Sequence, residues 1–548
     1  MRFASIAAAL TGIACVAALQ SPHRRAPAKA KRALPIHHED KHAHHKRQSS
    51  YLTSKTAKFA VNGSAIPDVD FDIGESYAGT LSIDSNSTSQ DALWFWFFPS
   101  ENPAACEEIV IWLNGGPGCS SLDGLLQENG KHYTSAYRFG RSLTSDCLNK
   151  ARSCGKAVWI DQPVGTGFSP AKNGTPQSIK NEHDVSVDFM GFWKNFMETF
   201  DLVGRKVYIT GESYAGQYIP YIAYNMLETN NTDYYNVSGI QINDPSINHD
   251  DTLIEAPSVW HLNDYSNIFG LNETFMKDIN ARAEKCGYFA FMENALTFPP
   301  LGPLPTAPNS SEPGCAVWED IIDATVYINP CFNIYHLIDY CPYLWDQLGF
   351  PSLGWGPSDY FNRTDVQKAI NAPPTDYTVC GDDSLGLLNP GDSSVPSALG
   401  PLPYVIERTN NVLIGHGWLD YLLLANGTLA TIQNMTWNGM QGFQKRPSDD
   451  LFVPYHPGLA EILYEINYQP IPAVPATNVA GAGLLGTTHT ERGLTFSTVN
   501  HAGHEIPEYV PGASFRHLEF LLGRIPSLTT RGDFTTQSGN YTGTTPPQ

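Results

Sequence analysis

Residues 206–220 read KVYITGESYAGQYIP, and they indicate the fold more clearly than any other stretch of the chain. An apolar, β-branched run predicts a strand before the serine, and an apolar helical pattern predicts a helix after it. Ser213 stands between them, with the small residues Gly211 and Ala215 two positions to either side. A strand that feeds a helix through so tight a turn needs small neighbours at these two positions. Alanine replaces the usual glycine at 215 but is still small, so the stretch predicts a nucleophile elbow.

A second stretch, IVIWLNGGPGCSS at residues 109–121, leads a buried strand directly into a glycine-rich loop. Such a loop brings bare backbone N–H groups close to a developing oxyanion. Taken alone, it also fits an ordinary turn after a strand. The two stretches together predict a nucleophile with an oxyanion hole beside it.

WLNGGPGCSS and GESYAG resemble the two signatures of the serine carboxypeptidase family of α/β-hydrolases. The resemblance extends to DQPVGTGFS at residues 161–169 and to AGHEIP at residues 502–507, so it covers most of residues 65–525. It implies an α/β-hydrolase fold, in which a central, mostly parallel sheet carries helices on both faces and an inserted cap.

The order of the predicted strands and helices agrees with that fold. Apolar strand patterns alternate with amphipathic helix patterns, as expected for a parallel sheet covered on both faces. This alternation of strands and helices is absent over about residues 245–361, where proline, glycine and four cysteines cluster. We therefore place the cap there. The predicted strands are 77–84, 92–98, 109–113, 156–160, 206–210, 238–243 and 494–498, the helices are 185–200 and 514–522, and the core pattern resumes at 365–371 and 404–415.

A serine hydroxyl is a weak nucleophile, so Ser213 needs a base and the base needs a carboxylate to orient it. In α/β-hydrolases these residues follow the order Ser, Asp, His. His504 matches the Gly-His-x-x-Pro motif of the family and is the predicted base. Asp420 is the predicted acid, although the family pattern Gly-Asp-x-Asp lacks its first aspartate here. The predicted oxyanion donors are the backbone N–H groups of Gly116 and Tyr214.

An exopeptidase also needs a receptor for the free carboxylate of its substrate. The resemblance assigns that role to Asn114, the N–H of Gly115, Glu128 and Glu212, a set without an arginine. A glutamate donates a hydrogen bond to a carboxylate only while it is protonated, and two adjacent carboxyls share a proton. We therefore expect activity to be greatest at acidic pH. Glu505 follows the predicted base, where the family forms the pocket for the released residue, and an ionised carboxyl there would favour a basic one.

The first 47 residues differ in composition from the rest. Residues 1–18 resemble a secretory signal, and residues 19–47 are rich in basic residues and hold six histidines before the dibasic pair Lys46-Arg47. We read residues 19–47 as a propeptide and residues 48–548 as the catalytic domain. The histidines are irregularly spaced, so no metal site is predicted, and no cofactor is implied. We expect a secreted protein, with a vacuolar or lysosome-like compartment as the alternative location.

A formal charge of −21 excludes a nucleic-acid-binding surface as the main feature, and no later stretch is long and apolar enough to span a membrane. The expected partners are therefore peptides or proteins with a free C-terminus. Eleven Asn-X-Ser/Thr sequons favour a glycoprotein: Asn62, Asn86, Asn173, Asn230, Asn236, Asn272, Asn309, Asn362, Asn426, Asn434 and Asn540.

Nine cysteines follow the signal, which favours disulfide bonds in an exported chain. The family resemblance implies that Cys119 in the glycine-rich loop pairs with Cys380. The group Cys286, Cys315, Cys331 and Cys341 allows three pairings, among which the sequence does not choose.

Residues 131–156 do not fit the family pattern. They hold six basic residues against one acidic residue inside an acidic chain, and a segment rich in Trp and Asn is expected instead. The stretch is either a divergent surface loop or an error of frame or splicing in the translated gene.

The sequence thus predicts a serine-type carboxypeptidase that releases C-terminal residues through an acyl-enzyme. Two alternatives stay open at this point. The first is an esterase or acyltransferase on the same scaffold, and the second is a catalytically silent secreted glycoprotein that binds peptides.

Overall fold

The computed structural model of the chain describes residues 51–69, 71–84, 91–100, 107–129, 156–171, 179–340, 360–381, 387, 391–454 and 483–532. The predicted signal and propeptide, residues 131–155, Cys341 and three of the sequons lie outside the described residues. Lys156, the last residue of the anomalous stretch, is buried as the first residue of a strand.

The described residues contain 13 strands. They are β1 Ala60–Val61, β2 Ser76–Ser82, β3 Ala92–Phe98, β4 Glu108–Leu113, β5 Lys156–Asp161, β6 Lys206–Glu212, β7 Val237–Asn243, β8 Val412–Gly417, β9 Thr436–Trp437, β10 Met440–Gln441, β11 Asp449–Val453, β12 Gly483–Glu491 and β13 Leu494–Val499. All except β9 and β10 form one sheet, in the order β1-β2-β3-β5-β4-β6-β7-β8-β13-β12-β11.

The centre of this sheet, from β5 to β13, is parallel throughout. The strands outside it on both sides pair antiparallel. The inner strands β4, β5 and β8 are buried at every position, as expected where helices cover both faces of a parallel sheet. The predicted α/β-hydrolase architecture is confirmed.

The helices are α1 Glu182–Thr199, α2 Ala215–Glu228, α3 Ala256–Asp264, α4 Ser266–Phe269, α5 Glu273–Cys286, α6 Tyr288–Ala295, α7 Val317–Ile328, α8 Thr364–Ala369, α9 Pro401–Thr409, α10 Ala425–Asn434, α11 Ile506–Tyr509 and α12 Pro511–Leu521. Asn181 begins α1 by accepting a hydrogen bond from Asp184 N through its side chain, so the helix starts earlier than the predicted residue 185. The predicted pattern at 404–415 contains the end of α9 and the start of β8, because Asn410 in the left-handed region ends that helix.

Alternating side chains of the strands pack into the hydrophobic layers on opposite faces of the sheet. Ile109 and Ile111 pack on one face with α1 and α2, whereas Val110 packs on the other face with Phe515 and Leu518 of α12. Successive side chains of a strand point to opposite faces of the sheet, so one apolar strand packs against the helices on both faces.

Five helices, α3 to α7, lie between β7 and β8 in the chain. Buried hydrogen bonds connect them to one another and to the rest of the molecule. Glu255 Oε2 accepts hydrogen bonds from Val317 N and Trp318 N, both at 3.1 Å. Trp318 Nε1 then donates to Tyr421 O at 2.8 Å, next to the predicted catalytic aspartate. These helices fall within the predicted cap, whose boundaries at about 245 and 361 stay a prediction.

Two disulfide bonds join described residues. Cys119 is bonded to Cys380, and Cys286 is bonded to Cys315. Cys331 is also disulfide-bonded, with its partner outside the described residues. The first bond ties the glycine-rich loop to a segment 261 residues later in the chain.

Candidate active site

Ser213 lies on a strained turn between β6 and α2. Its φ is +60°, in the left-handed region that side chains other than glycine rarely adopt. Gly211 lies so close to β4 that a Cβ there would be 2.1 Å from Leu113 O and 3.1 Å from the methyl group of Ala215. The turn therefore tolerates alanine at 215 only because position 211 has no side chain. This geometry is a nucleophile elbow.

His504 and Asp420 form a buried pair. His504 Nδ1 lies 2.7 Å from Asp420 Oδ2, and Asp420 Oδ1 accepts hydrogen bonds from Leu422 N at 2.7 Å and Leu423 N at 3.2 Å. An ionised carboxylate accepts only, so Nδ1 carries the proton and Nε2 is left as the basic nitrogen. His504 Nε2 has no hydrogen-bond partner among the described residues. It faces the cavity that Ser213 also lines.

The cavity has an empty volume of about 640 Å³. It is lined by Asn114, Gly115, Gly116, Cys119, Asp123, Glu212, Ser213, Tyr214, Ser246, Tyr335, Val379, Cys380, Leu422, Leu423, His504 and Glu505. Of the residues predicted from sequence, only Asp420 and Glu128 are not part of its wall, and both lie buried behind it. No lysine or arginine is among the described residues that line the cavity.

The glycine-rich loop passes directly against the elbow. A Cβ on Gly115 would lie 2.5 Å from Tyr214 N and 2.7 Å from the Cβ of Ser213, so only glycine allows this approach. Gly116, with φ of +108°, then turns the chain away. The backbone of the loop and the N–H of Tyr214 thus meet beside Ser213.

Asn114 directs an amide N–H₂ group at a group of carboxyls. Its Oδ1 accepts hydrogen bonds from Trp112 Nε1 at 2.7 Å and Gly124 N at 3.1 Å, which fixes the orientation of the amide. Its Nδ2 therefore faces Glu212 Oε1 at 3.0 Å, Glu128 Oε1 at 3.3 Å and Asp123 Oδ2 at 3.4 Å.

Burial raises the pKa of both Glu128 and Glu212 well above the usual range of a glutamate. Repulsion from Glu212 and Asp123 raises that of Glu128 further, and repulsion from Glu505 adds to that of Glu212. Neither Oε2 atom meets an N–H or hydroxyl donor among the described residues. Two such carboxyls hold a shared proton more tightly than isolated ones do. The pair can therefore donate a hydrogen bond to an added carboxylate.

Glu505 lies in the wall of the cavity with Asp123 and Glu212. Carboxylate oxygens of these three residues lie within 4.8 Å of one another, and all three side chains are buried. Asp123 was missed by the sequence reasoning, although it follows the CSS motif by two residues. The signal was its position in the turn that leads toward Glu128.

A second buried acid and a second histidine lie behind the His504–Asp420 pair. Trp418 occupies the position where the family pattern has its first aspartate. Two residues earlier, His416 Nε2 lies 2.8 Å from Leu423 O, 3.5 Å from Asp244 Oδ1 and 3.9 Å from Asp420 Oδ2. Burial lowers the pKa of His416 to about 4. Asp244 Oδ1 accepts from Gly417 N at 2.7 Å. The sequence showed only that an aspartate was missing, not that Asp244 approaches from β7.

The side chains of the site come from successive ends of the parallel strands. Asn114 follows β4, Ser213 follows β6, and Asp244 follows β7, all at the carboxyl edge of the sheet where open α/β folds bind ligands. Asp420 and His504 follow β8 and β13 at the same edge. Side chains as distant in the sequence as those of Asn114 and His504 thus converge on one cavity, because their strands end at the same edge of one sheet.

The elbow, the Ser, Asp, His order and the doubly covered parallel sheet define an α/β-hydrolase. Residues 67–523 match the serine carboxypeptidase family. The chain is 49% identical over 537 residues to a "Carboxypeptidase Y homolog" of Arthroderma benhamiae, which spans 96% of this chain and 99% of that protein. It is 39% identical over 492 residues to "Serine-type carboxypeptidase F" of Aspergillus niger, which spans 87% of this chain and 89% of that protein.

The fold is also that of Kex1(delta)p, a prohormone-processing carboxypeptidase from Saccharomyces cerevisiae. The TM-score is 0.62 at 24% identity, over 86% of this chain and 97% of the other. The chain belongs to the serine carboxypeptidase family and is a serine-type carboxypeptidase. Among the residues that the structure describes, no helix is long and apolar enough to cross a membrane.

Proposed function

We propose that this protein releases single residues from the free C-terminus of peptides, with Ser213 as nucleophile, His504 as base and Asp420 as the orienting acid. The observation that supports this most directly is the amide of Asn114, held beside the elbow and facing the paired carboxyls of Glu128 and Glu212. An esterase has no need of a group that binds a free carboxylate at this position.

In the proposed reaction, the substrate carboxylate accepts hydrogen bonds from Asn114 Nδ2, from Gly115 N and from the proton that Glu128 and Glu212 share. Ser213 Oγ attacks the last peptide carbonyl while its proton moves to His504 Nε2. The N–H groups of Gly116 and Tyr214 stabilise the oxyanion, each by about 3 kcal/mol. His504 then passes the proton to the leaving amine. Water hydrolyses the acyl-enzyme by the same steps and restores Ser213.

Acid conditions favour this reaction because the receptor needs its shared proton. The pKa values of Glu128 and Glu212 are raised, so the pair keeps that proton to a higher pH than isolated glutamates would. His504 accepts the serine proton only in its neutral form. We expect peptide hydrolysis to be greatest at roughly pH 4 to 6.

Three substrates and one covalent probe test the proposal on the purified chain. A peptide with a free C-terminus should lose one residue at a time, whereas the same peptide with an amidated C-terminus should react poorly. A fluorophosphonate should label Ser213, with Ser213→Ala as control. Hydrolysis of a blocked peptide ester without cleavage of the free-acid peptide would select the esterase alternative. A chain that binds peptides but is neither labelled nor active would be the silent glycoprotein.

We also infer that Glu505, with Asp123, forms the wall against which the released residue packs. Glu505 and Asp123 place two further carboxyls within 4.8 Å of that of Glu212, in a cavity whose described wall contains no lysine or arginine. A lysine or arginine side chain is attracted to such a pocket, and an acidic one is repelled.

The proposal includes export, removal of residues 1–47 and glycosylation. It rests on the apolar N-terminal stretch, the pair Lys46-Arg47 and the sequons. N-terminal sequencing of the protein from culture medium should begin at or after Gln48. Retention inside the cell with the N-terminus intact would contradict export and processing together, and recovery from a vacuolar fraction would select the other compartment.

A further inference from the structure

A network of carboxyl and phenol groups lies on the far side of the elbow from the catalytic histidine. Tyr214, whose backbone N–H is a proposed oxyanion donor, donates its hydroxyl proton to Asp392 Oδ2 at 2.8 Å. The carboxyl of Glu182, the first residue of α1, lies against the same hydroxyl and is fully buried. The Tyr214 hydroxyl therefore lies between two acids.

Asp392 belongs to residues 392–398, which we call the strap because they cross the first turns of α1 and α2. Glu182 N donates to Ser394 Oγ at 2.7 Å, and Ser394 N donates to Asp392 Oδ1 at 2.8 Å. Ser397 Oγ donates to Gly216 O at 2.6 Å, three residues after the nucleophile. The strap thus joins the start of α1 to the elbow helix.

The other half of the oxyanion hole is connected to the same network. Gly118 N, in the glycine-rich loop, donates to the Tyr218 hydroxyl at 3.1 Å. The rings of Tyr214 and Tyr218 pack edge to face with centroids 5.1 Å apart. A displacement of Tyr214 is therefore transmitted both to its own N–H and to the loop that carries Gly116.

The carboxyl of Glu182 is buried, so its ionised form is disfavoured. Neither of its oxygens accepts a hydrogen bond from an N–H or hydroxyl group among the described residues. Burial and repulsion from Asp392 raise the pKa of Glu182 well above its usual range. The titratable groups that face the two acids are Tyr214, which directly precedes α2, and Tyr218 and Tyr221 within α2, and burial raises the pKa of each of these phenols.

We propose that Glu182, in its protonated form, and Asp392, which accepts from the Tyr214 hydroxyl, are positioning residues that together hold the oxyanion hole in its working geometry. With one proton, Glu182 is neutral, Asp392 accepts from Tyr214, and the strap is fixed. When that proton is lost, two carboxylates flank one hydroxyl in a buried site and repel each other. Asp392 is half-buried on the strap and Glu182 is fixed in a helix, so the strap moves and Tyr214 moves with it.

This inference rests on the proposed role of Ser213, but it predicts a loss of rate that does not involve the carboxylate receptor. Reaction of Ser213 with a neutral fluorophosphonate ester requires the oxyanion hole and no substrate carboxylate. Its rate constant, measured from pH 5 to pH 8, therefore reports on the network without contribution from Glu128 and Glu212.

Glu182→Gln is the informative variant, because glutamine is nearly isosteric and stays neutral at every pH. The ratio of its labelling rate to that of the unmodified chain should rise at least threefold from pH 5 to pH 8. Asp392→Asn, which removes the other charge, should show the same rise and serves if the first variant fails to fold. Asp188→Asn is the matched control, since Asp188 is a carboxyl of the same helix whose pKa burial raises to about 7.

The control should give a ratio that does not change with pH. A ratio independent of pH in both Glu182→Gln and Asp392→Asn would overturn the inference and leave the two acids a merely structural role. A rise of equal size in Asp188→Asn would overturn it as well. Absence of labelling in the unmodified chain at every pH would instead reject Ser213 as the nucleophile, so the two failures are distinguishable.

Discussion

At the scale of single residues, Glu505 places a carboxyl next to the proposed catalytic base and in the wall of the cavity. Its neighbours there are Asp123 and Glu212, and the described wall contains no lysine or arginine. A side chain in the proposed pocket for the released residue affects the choice among C-terminal residues more than it affects the rate on all substrates alike. The effect of replacing Glu505 should therefore depend on the substrate.

Glu505→Met should weaken hydrolysis of peptides that end in Lys or Arg relative to those that end in Leu or Phe. In a partly desolvated pocket the lost attraction corresponds to about 1 to 2 kcal/mol, or roughly 5- to 30-fold in kcat/KM. The measurement is kcat/KM on a matched series of C-terminal residues, with Glu505→Gln as the uncharged control of similar size. Equal losses on basic and apolar C-termini would mean that Glu505 supports His504 instead of selecting the residue.

Glu212→Gln should move the upper pH limit of peptide hydrolysis toward neutral pH. The raised pKa values of the pair mean that the receptor works below them and fails above them, when both carboxyls are ionised. A glutamine amide donates at every pH, so it removes this limit. The pH profile of kcat/KM on a free-acid peptide tests the prediction, and a peptide ester without a carboxylate is the control. An unchanged profile would exclude Glu212 from the receptor.

At the scale of secondary-structure elements, Asp161 at the end of β5 joins two loops of the site. Its Oδ1 accepts from Ser120 Oγ at 2.7 Å and Ser121 N at 2.9 Å in the glycine-rich loop. Its Oδ2 accepts from Phe168 N at 2.9 Å. Burial raises the pKa of Asp161 to about 6 in spite of these donors. The motif DQPVGTGFS thus contributes a carboxyl that fixes the glycine-rich loop, which carries the proposed oxyanion donor Gly116.

Asp161→Asn should lower the free energy of unfolding by about 2 to 3 kcal/mol, because an amide N–H₂ would face an N–H donor in a buried site. Asp188→Asn provides a matched contrast. Burial raises the pKa of Asp188 to about 7, and its Oδ2 has no hydrogen-bond partner among the described residues. Its replacement should therefore be neutral or stabilising at pH 7.5. Urea denaturation of both variants measures the difference, and equal destabilisation by the two substitutions would contradict the assigned contacts.

At the scale of the whole molecule, carboxyls with a raised pKa outnumber histidines with a lowered pKa among the residues that the structure describes. Burial raises the pKa values of Asp161, Asp188 and Glu255 to about 6, 7 and 7, and also raises those of Glu128, Glu182, Glu212 and Asp244. Burial lowers the pKa values of His261, His416 and His517 to about 3, 4 and 3. The two groups have opposite effects on stability as the pH changes.

The protein should be more stable at pH 5 than at pH 8. Above about pH 4 the unfolded chain loses carboxyl protons that the folded chain retains, so stability falls as the pH rises through the folded pKa values. The histidines oppose this only below about pH 6.5, where the unfolded chain binds protons that the folded chain does not. For each proton by which the folded chain exceeds the unfolded chain, the free energy of unfolding falls by about 1.4 kcal/mol per pH unit. Calorimetry should show a Tm several degrees lower at pH 8, and a higher Tm there would contradict the prediction.

Glycan attachment should follow the contacts of the sequon side chains. Asn362 Oδ1 accepts from Tyr377 N at 2.6 Å and its Nδ2 donates to Tyr377 O at 2.8 Å, so a glycan on this nitrogen is incompatible with the fold. Asn309 is exposed and uses only its Oδ1, toward Ser311 N. Peptide mass spectrometry after enzymatic deglycosylation in heavy-oxygen water should find Asn309 modified and Asn362 unmodified. A folded protein that carries a glycan on Asn362 would contradict this.

The sequence by itself determined the elements that depend on local geometry and periodicity. Only small residues fit at 211 and 215, so the elbow at Ser213 was visible, and apolar runs such as 109–113 predicted the inner strands. His504 and Asp420 followed from their motif and order, and the structure brings them within 2.7 Å of each other. Lys156, the last residue of the anomalous stretch, begins β5, in agreement with the predicted strand at 156–160.

The tertiary structure alone decided which charged groups meet. Asp123, Asp244 and His416 have no local pattern that marks them, and the strap reaches Glu182 from more than 200 residues away. Sheet order makes β7 a neighbour of β8 and so brings Asp244 to His416. The protonation of these groups depends on burial and on charges within a few ångströms. Neither quantity is encoded by residues adjacent in the chain, because both arise only when distant strands end at the same edge of one sheet.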